Sequence, residues 1–247
     1  MSDTKLNGRL RSAASFVRQR AVLADVGTDH AYLPIFLLSE GRVERVIATD
    51  VNAGPLASAE DNLRDAELLD RATLVLCDGA ADLADSGATD YAICGMGGEL
   101  IAEIIGRAPH LKDPSLRLIL QPMSKQPELR RYLSSEGFSI RSEAYSYDAG
   151  KYYVCMMAEY TGECRTLTDL QSLLPDPESE VFNRDAENGY LRAKLESYNK
   201  AARGKIAGGD PMPEELEYVS LIGNYLSKSH LMPISVFEKS KNDKPIQ

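Results

Sequence analysis

AVLADVGTDHAYLP, residues 21–34, sets a short apolar run against a turn in which an acid, a glycine, a threonine, a second acid and a histidine crowd together. The run AVLAD is apolar on successive positions and then breaks, which is the pattern of a strand covered on both faces. HAYLPIFLLSE, which follows the turn, is apolar enough to be the helix that covers it. A strand that feeds a helix through a tight polar turn opens a βαβ unit. Gly27 stands where the backbone must either take a positive φ or come very close to a ligand.

The same rhythm continues as RVIATD then AGPLASAEDNLRDAELL, ATLVLCD, DYAICG then GELIAEIIG, and LRLILQP then KQPELRRYLSSEG. Strands alternating with helices predict a doubly wound α/β domain with a mostly parallel sheet. FSIRSEAYSYDAG and KYYVCMMAEYTG, joined at Ala149 and Gly150, predict a terminal antiparallel hairpin. Around Leu174 the texture changes. LLPDPESE interrupts, VFNRDAENGYLRAKLESYNKAAR reads as one long helix, and PEELEYVSLIGNYLSKS follows as a second after the breaker GGDPMP. The expected division is an α/β domain over residues 1–164 and a small coiled-coil-like helical module over 165–247, its last residues KSKNDKPIQ frayed.

With 247 residues, 43% of them hydrophobic and 26% charged, the chain has enough apolar material for a sizeable core. Its net charge of -9 repels a polyanion, so any nucleic acid must be met by a local basic surface. Cys77, Cys94, Cys155 and Cys164 form no C-x-x-C pair, which argues against a zinc knuckle or a disulfide framework. The N-terminus lacks the apolar core of a signal peptide, and no run approaches the ~18 apolar residues of a membrane span. A soluble, cytoplasmic protein with reduced thiols is expected.

Ligands of open α/β sheets bind beyond the carboxyl ends of the strands, at the switch point of the strand order, where the Gly27 turn is expected. The dinucleotide fingerprint needs three glycines to seat a pyrophosphate, but here Gly27 stands alone and Asp29 would oppose phosphate oxygens. A cationic ligand without phosphates suits Asp25 and Asp29 better, and S-adenosylmethionine offers a sulfonium and an ammonium. Asp50, ending the second strand, is placed to accept ribose hydroxyls. Asp78, followed by Gly79 after the third, can accept the adenine amino hydrogen. Gly95, Met96, Gly97 and Gly98 make a second close-approach loop after the fourth. Any one of these acids also reads as a helix cap or turn former, and Met96 as a core filler; acids at three successive strand ends favour a site.

DVGTDHAYLP, ATD, CDG, CGMGG and LQP, taken in order, resemble the bacterial tRNA (adenine-N1)-methyltransferases that modify adenine 22, the TrmK family. The resemblance runs over nearly the whole chain, from the opening LNGRLRSAASFV to the C-terminal helical hairpin. It implies a class I, Rossmann-like fold, S-adenosylmethionine as cofactor, no metal, tRNA as substrate, and a helical module that assists tRNA binding. By position, it implies that Asp25, Gly27, Thr28, Asp29 and His30 wrap the methionine part of the cofactor. Asp50 would hold the ribose, Asp78 and Gly79 the adenine, and Gly95, Met96, Gly97 and Gly98 the methyl-transfer edge. The family reads Q-P-N where this chain has Gln121, Pro122 and Met123, so a polar contact expected there is missing.

Adenine N1 has a free in-plane lone pair, so the chemistry demands alignment more than a base. Asp29 is the candidate to stabilise the cationic product. His30 is a candidate base or, more simply, a hydrogen-bonding group of the loop. Cys94 is read as packing, and His110 and His230 as surface or packing residues. Tyr32, Tyr152 and Tyr153 are candidates to hold an extruded base. Local positive charge comes from Lys5, Arg9, Arg11, Arg18 and Arg20 at the start, and from Arg192, Lys194, Lys200, Arg203 and Lys205 along the first long C-terminal helix; both runs also read as solvated helix faces. Three alternatives remain. Another base methyltransferase is one, although the N6 enzymes carry an N-P-P-Y-like tetrapeptide where this chain has CGMGG. The others are a non-catalytic protein that binds the cofactor and RNA, and an NAD-dependent oxidoreductase.

Overall fold

The computed structural model describes residues 6–228, so Lys5, His230 and the C-terminal tail lie outside the described residues. These fall into two compact units, the first ending at Asn183 and the second beginning at Arg184.

The first unit is built on eight strands: β1 (Ala21–Val26), β2 (Val43–Asp50), β3 (Ala72–Leu76), β4 (Asp90–Gly97), β5 (Arg117–Ser124), β6 (Phe138–Asp148), β7 (Lys151–Tyr160) and β8 (Glu180–Phe182). Their order is β3-β2-β1-β4-β5-β7-β6-β8. β1 to β5 run parallel, β7 is antiparallel to both β5 and β6, and β8 pairs parallel with β6. The direction of winding reverses between β1 and β4, which puts the switch point where the Gly27 turn was expected.

Six helices accompany the sheet: α1 (Gly8–Phe16), α2 (Tyr32–Ser39), α3 (Ala53–Asp65), α4 (Gly98–Gly106), α5 (Gln126–Ser135) and the short α6 (Asp169–Leu173). Leu23, Val46, Ala48, Ala92 and Ile119 are buried in one cluster with Leu37 and Leu38 of α2 and with Ala13 and Phe16 of α1. That burial is why the strands read as nearly continuous apolar runs. The Asn7 side chain caps α1 by accepting from the Leu10 N–H. Ala149 and Gly150 both take positive φ, at 47° and 80°, and close the β6–β7 hairpin in two residues with Asp148 opposite Lys151. Both positive angles fit the type I′ geometry that matches strand twist.

Two expectations change. Val181 and Phe182 were read as the start of the long helix, but they lie in β8, and Asn183 at φ 61° breaks the chain before the helix begins. Residues 165–183 belong to the first unit rather than to the helical one. The Arg165 N–H bonds to the Ser134 carbonyl at 2.8 Å, the Asp176 N–H to Glu143 at 3.0 Å, and β8 pairs with β6 along Ser142, Glu143 and Ala144. The expected boundary at 164/165 therefore moves to 183/184. The second unit holds α7 (Arg184–Ala207) and α8 (Glu215–Lys228), which pack together as the expected helical hairpin.

Candidate active site

The site is assembled from the carboxyl ends of adjacent strands. After β1 the chain turns at Gly27, φ 75°, and the N–H groups of Gly27 and Thr28 both donate to the Thr49 carbonyl of β2, at 2.8 and 2.7 Å. A Cβ on Gly27 would lie 2.1 Å from Met96 Cε, the end of a flexible side chain, so the turn lies against the β4 loop, and its positive φ is what favours glycine. Past Asp29 the strain continues: His30 and Ala31 take φ of 60° and 54°, and the Asn62 side chain of α3 donates to the His30 carbonyl at 3.0 Å. Successive non-glycine residues in the left-handed region are costly and cluster at functional sites.

The acids are not equivalent. Asp25 is only 7% exposed, and burial raises its carboxyl from 3.8 to about 6 against the opposing pull of the Thr28 side chain. A buried carboxylate without a cation is a group poised to receive one. Asp29 is open to solvent, with His30 Nε2 3.2 Å from its Oδ1. Asp50 accepts from the Asn52 N–H at 2.8 Å, which orients its carboxylate at the end of β2. The Asp50 carbonyl in turn accepts from the Cys77 N–H at 3.1 Å, tying β2 to the loop that carries Asp78. Asp78 is held by Arg107 through two contacts, at 2.6 and 3.3 Å. A carboxylate has about four acceptor positions, so two remain for a ligand. At Gly79, φ 75°, a Cβ would press on Ile104 at 3.2 Å.

Gly95 takes φ 82°, and a Cβ there would sit 3.3 Å from the Arg9 guanidinium. At Gly98 a Cβ would fall 2.2 Å from the Lys125 carbonyl oxygen, so this glycine lets the start of α4 pack on the β5–α5 turn. Gly97 caps that helix. The Cys94 thiol is pushed up to about 12, by burial first and then by the nearby Asp25 charge, so it stays protonated and unreactive at neutral pH. This agrees with its reading as packing.

Sequence reasoning misjudged the N-terminal basic run. Arg18 clamps the fully buried Asp90 at the start of β4, with Nε 2.7 Å from Oδ1, and Arg20 pairs with Glu44; both sit at the amino ends of strands, opposite the site. Arg9 instead reaches the site, and its Nη1 donates to Gln121 Oε1 at 2.8 Å at the end of β5. Only the buried Gln121 hinted at this, since a buried amide needs a partner. Among the tyrosines, Tyr32 lies 5.5 Å from His30 ring to ring, while Tyr152 pairs with the exposed Tyr147 at 4.6 Å. The Tyr147–Tyr152 pair stands near the hairpin tip, at the carboxyl end of β5.

On α7, Arg192, Lys200 and Arg203 are exposed, and at ~100° per residue they fall within one face of the helix. Lys194 points elsewhere, its Nζ 5.4 Å from the Tyr190 ring centre. No group of three or more His, Cys, Asp or Glu among the described residues could hold a metal, and no described helix is long and apolar enough to cross a membrane.

Residues 6–156 match the methyltransferase-domain family. A Bacillus subtilis tRNA (adenine(22)-N(1))-methyltransferase is 32% identical over 159 residues, which cover 64% of this chain and 67% of that protein. This chain belongs to the tRNA (adenine(22)-N1)-methyltransferase family. A putative tRNA (m1A22) methyltransferase of Streptococcus pneumoniae, solved in complex with S-adenosyl-L-methionine, superposes with a TM-score of 0.75 at 30% identity over 88% of this chain and 98% of that one. A putative tRNA methyltransferase of Mycoplasma pneumoniae is 28% identical over 67% of this chain and 78% of that protein. The family explains the lone-glycine turn, since its members have a sulfonium donor to seat rather than a pyrophosphate.

Proposed function

We propose that this protein transfers a methyl group from S-adenosylmethionine to N1 of an adenine in tRNA, at position 22. The observation that carries the reading is the set of carboxylates at the ends of β1, β2 and β3, with Asp25 buried and, among the described residues, without an ion pair, beside a turn whose positive φ favours glycine. The residues fit the donor on their own chemistry. Asp25 would answer its positive charge, Asp50 would hold the ribose, and the Asp78–Gly79 loop would hold the adenine ring.

When bound, the donor supplies an activated methyl group to a nucleophile that is already unprotonated. The chain's task is then to hold N1 in line with the methyl carbon and sulfur, an alignment worth roughly 7–11 kcal/mol of barrier. Gly95 and Gly97 leave the space in which the base can approach. Asp29 stands at the rim, where positive charge appears on the ring as the bond forms, and its carboxylate stabilises that charge. His30 orients the loop through its contact with Asp29, and no proton has to be removed first. The Tyr147–Tyr152 pair offers a stacking surface for a base taken out of its helix. Arg192, Lys200 and Arg203 of α7 track the tRNA backbone.

The test is to incubate the protein with labelled S-adenosylmethionine and unmodified tRNA transcripts, and to map the product by mass spectrometry. Label at N1 of adenine 22, lost when that base is replaced by guanine, is expected. Label at another position or atom, or no transfer by a folded protein, overturns the reading.

A further inference from the structure

The first unit holds a second cavity of about 670 Å³, between α1 and the face of β6 turned toward it. It lies on the other side of α1 from the cofactor rim. Arg9 reaches Gln121 on that rim, whereas Arg11, about 200° further round the helix, lines this cavity. The floor is small and polar: past the irregular pairing of β6 with β7 at Arg141, Ser142, Ala144 and Ser146 alternate onto one face of β6. Ser12 and Phe16 of α1 form one wall. Phe182 of β8 forms the other and meets Phe16 edge-on, ring centres 6.0 Å apart.

Charge sets the sign of what this cavity takes. The chain has a net charge of -9, yet two arginines and, among the described residues, no carboxylate line the cavity. Arg117 is partly committed, its Nη1 to the Phe16 carbonyl at 3.2 Å and its Nη2 to Glu159 at 3.1 Å, but its Nε is buried with no acceptor among the described residues. Arg11 is exposed, has one long bond of 3.4 Å to the Leu6 carbonyl, and pairs with no carboxylate among the described residues. Ser146 is 8% exposed and its hydroxyl has no partner there either. Buried polar groups are nearly always paired, and packing defects that stay empty are apolar, so two orphans beside one cavity mark a place for an oxygen-rich ligand. We propose that this cavity binds a phosphorylated nucleoside, with the phosphate on Arg11, the sugar over Ser142 and Ser146, and the base against the half-open ring of Phe182. A bare inorganic anion would leave the aromatic wall unused, and a neutral aromatic would leave the guanidinium unused. The volume falls within the roughly 300–1,000 Å³ of small-molecule sites. Two sources share this chemistry, a free nucleotide and an unpaired nucleotide of the tRNA.

The experiment saturates the full chain with S-adenosylhomocysteine, which fills the cofactor site, and titrates it by calorimetry with the ribonucleoside monophosphates of all four bases and with the matching nucleosides. Binding of tRNA is measured alongside, with and without a competing monophosphate. At least one monophosphate is expected to bind about tenfold or more tightly than its nucleoside, the size of preference that a charge-assisted contact supplies. Arg11→Glu should remove that preference. Ser12→Phe fills the cavity from its wall and should abolish binding. Arg11 is exposed and Ser12 partly so, and both variants should keep wild-type affinity for S-adenosylhomocysteine, which shows that they fold.

Monophosphate that displaces tRNA, with tRNA binding weakened in both variants, gives the site to a nucleotide of the RNA. Monophosphate binding that tRNA does not disturb gives it to the free nucleotide. No monophosphate binding by the folded protein overturns the proposal, as does an affinity unchanged in both variants. Binding that S-adenosylhomocysteine prevents also overturns it, because the nucleotide then occupies the cofactor site.

Discussion

Asp25 offers the sharpest test, because the fold and the chemistry make opposite demands on it. Its carboxyl has moved from 3.8 to about 6, chiefly through burial, and a shift of that size is about 3 kcal/mol of lost preference for the charged form. The sign follows from linkage. A folded-state value above the unfolded one means that the native protein binds the extra proton, so this group stabilises the fold below about pH 4, and that contribution is lost as pH rises through 6. Above pH 6 the cofactor-free protein therefore carries a charged Asp25 at a cost of about 3 kcal/mol. Asp25→Asn cannot ionise. The difference in unfolding free energy between variant and wild type should shift in the variant's favour by about 2.5 kcal/mol between pH 4 and pH 7.5, whatever its absolute value at either pH.

The same proton governs binding. A cationic ligand needs Asp25 ionised, so wild-type affinity for S-adenosylmethionine should fall about tenfold from pH 7 to pH 5, with a proton released on binding at the lower pH. Urea denaturation at the two pH values and calorimetry in buffers of different ionisation enthalpy measure both effects. A variant-to-wild-type stability difference that does not change with pH, together with a flat affinity between pH 5 and 7, would refute the reasoning.

Other outcomes follow from the same contacts. Gly27→Ala places a Cβ in a left-handed residue and against Met96, a flexible side chain that can yield; a stability loss of about 1–2 kcal/mol, with a larger loss of cofactor affinity, is expected from denaturation and calorimetry. Gly98→Ala meets the Lys125 carbonyl, which cannot retreat, and should cost about 3 kcal/mol of stability by denaturant titration. Burial would raise the Glu143 carboxyl, but the charge and two hydrogen bonds of Arg130, with help from the Asp176 N–H and Tyr145, hold it below its ordinary value. Arg130→Met strands that carboxylate and should cost about 3–5 kcal/mol at neutral pH, with recovery as acid protonates Glu143. Reversing Arg192, Lys200 and Arg203 to Glu should weaken tRNA binding and flatten its salt slope by about 2–3, leaving cofactor affinity unchanged; an unaltered slope would remove α7 from the RNA path.

What the sequence revealed depended on how local the signal was. β1 to β5 were legible because burial on both faces leaves apolar runs with polar ends, and the positions of Asp25, Asp50 and Asp78 at or just past the ends of strands were legible because each closes such a run. The hairpin turn was legible from Ala149 and Gly150. Arg9 and Arg18 could not be told apart, since both belong to one basic run; only the fold sends one to the carboxyl rim and the other to Asp90 at the opposite edge. β8 was hidden because three residues are too few to show a period. The ties that place residues 165–183 in the first unit run to Ser134, Glu143 and the edge of β6, partners that no local pattern can announce.

The short strand β8 determines where this chain can be cut. A fragment ending at Asn183 keeps within itself Arg130, Tyr145 and the Asp176 N–H, the groups that hold Glu143, and it keeps the outer side of β6 occupied. A fragment ending at Cys164 takes away Asp176 and Ser179, partners of a carboxylate that solvent does not reach, and bares a row of unpaired amides that invites other chains to join the sheet. Nineteen residues that look like a spacer are thus the difference between an excisable enzyme core and an aggregating one.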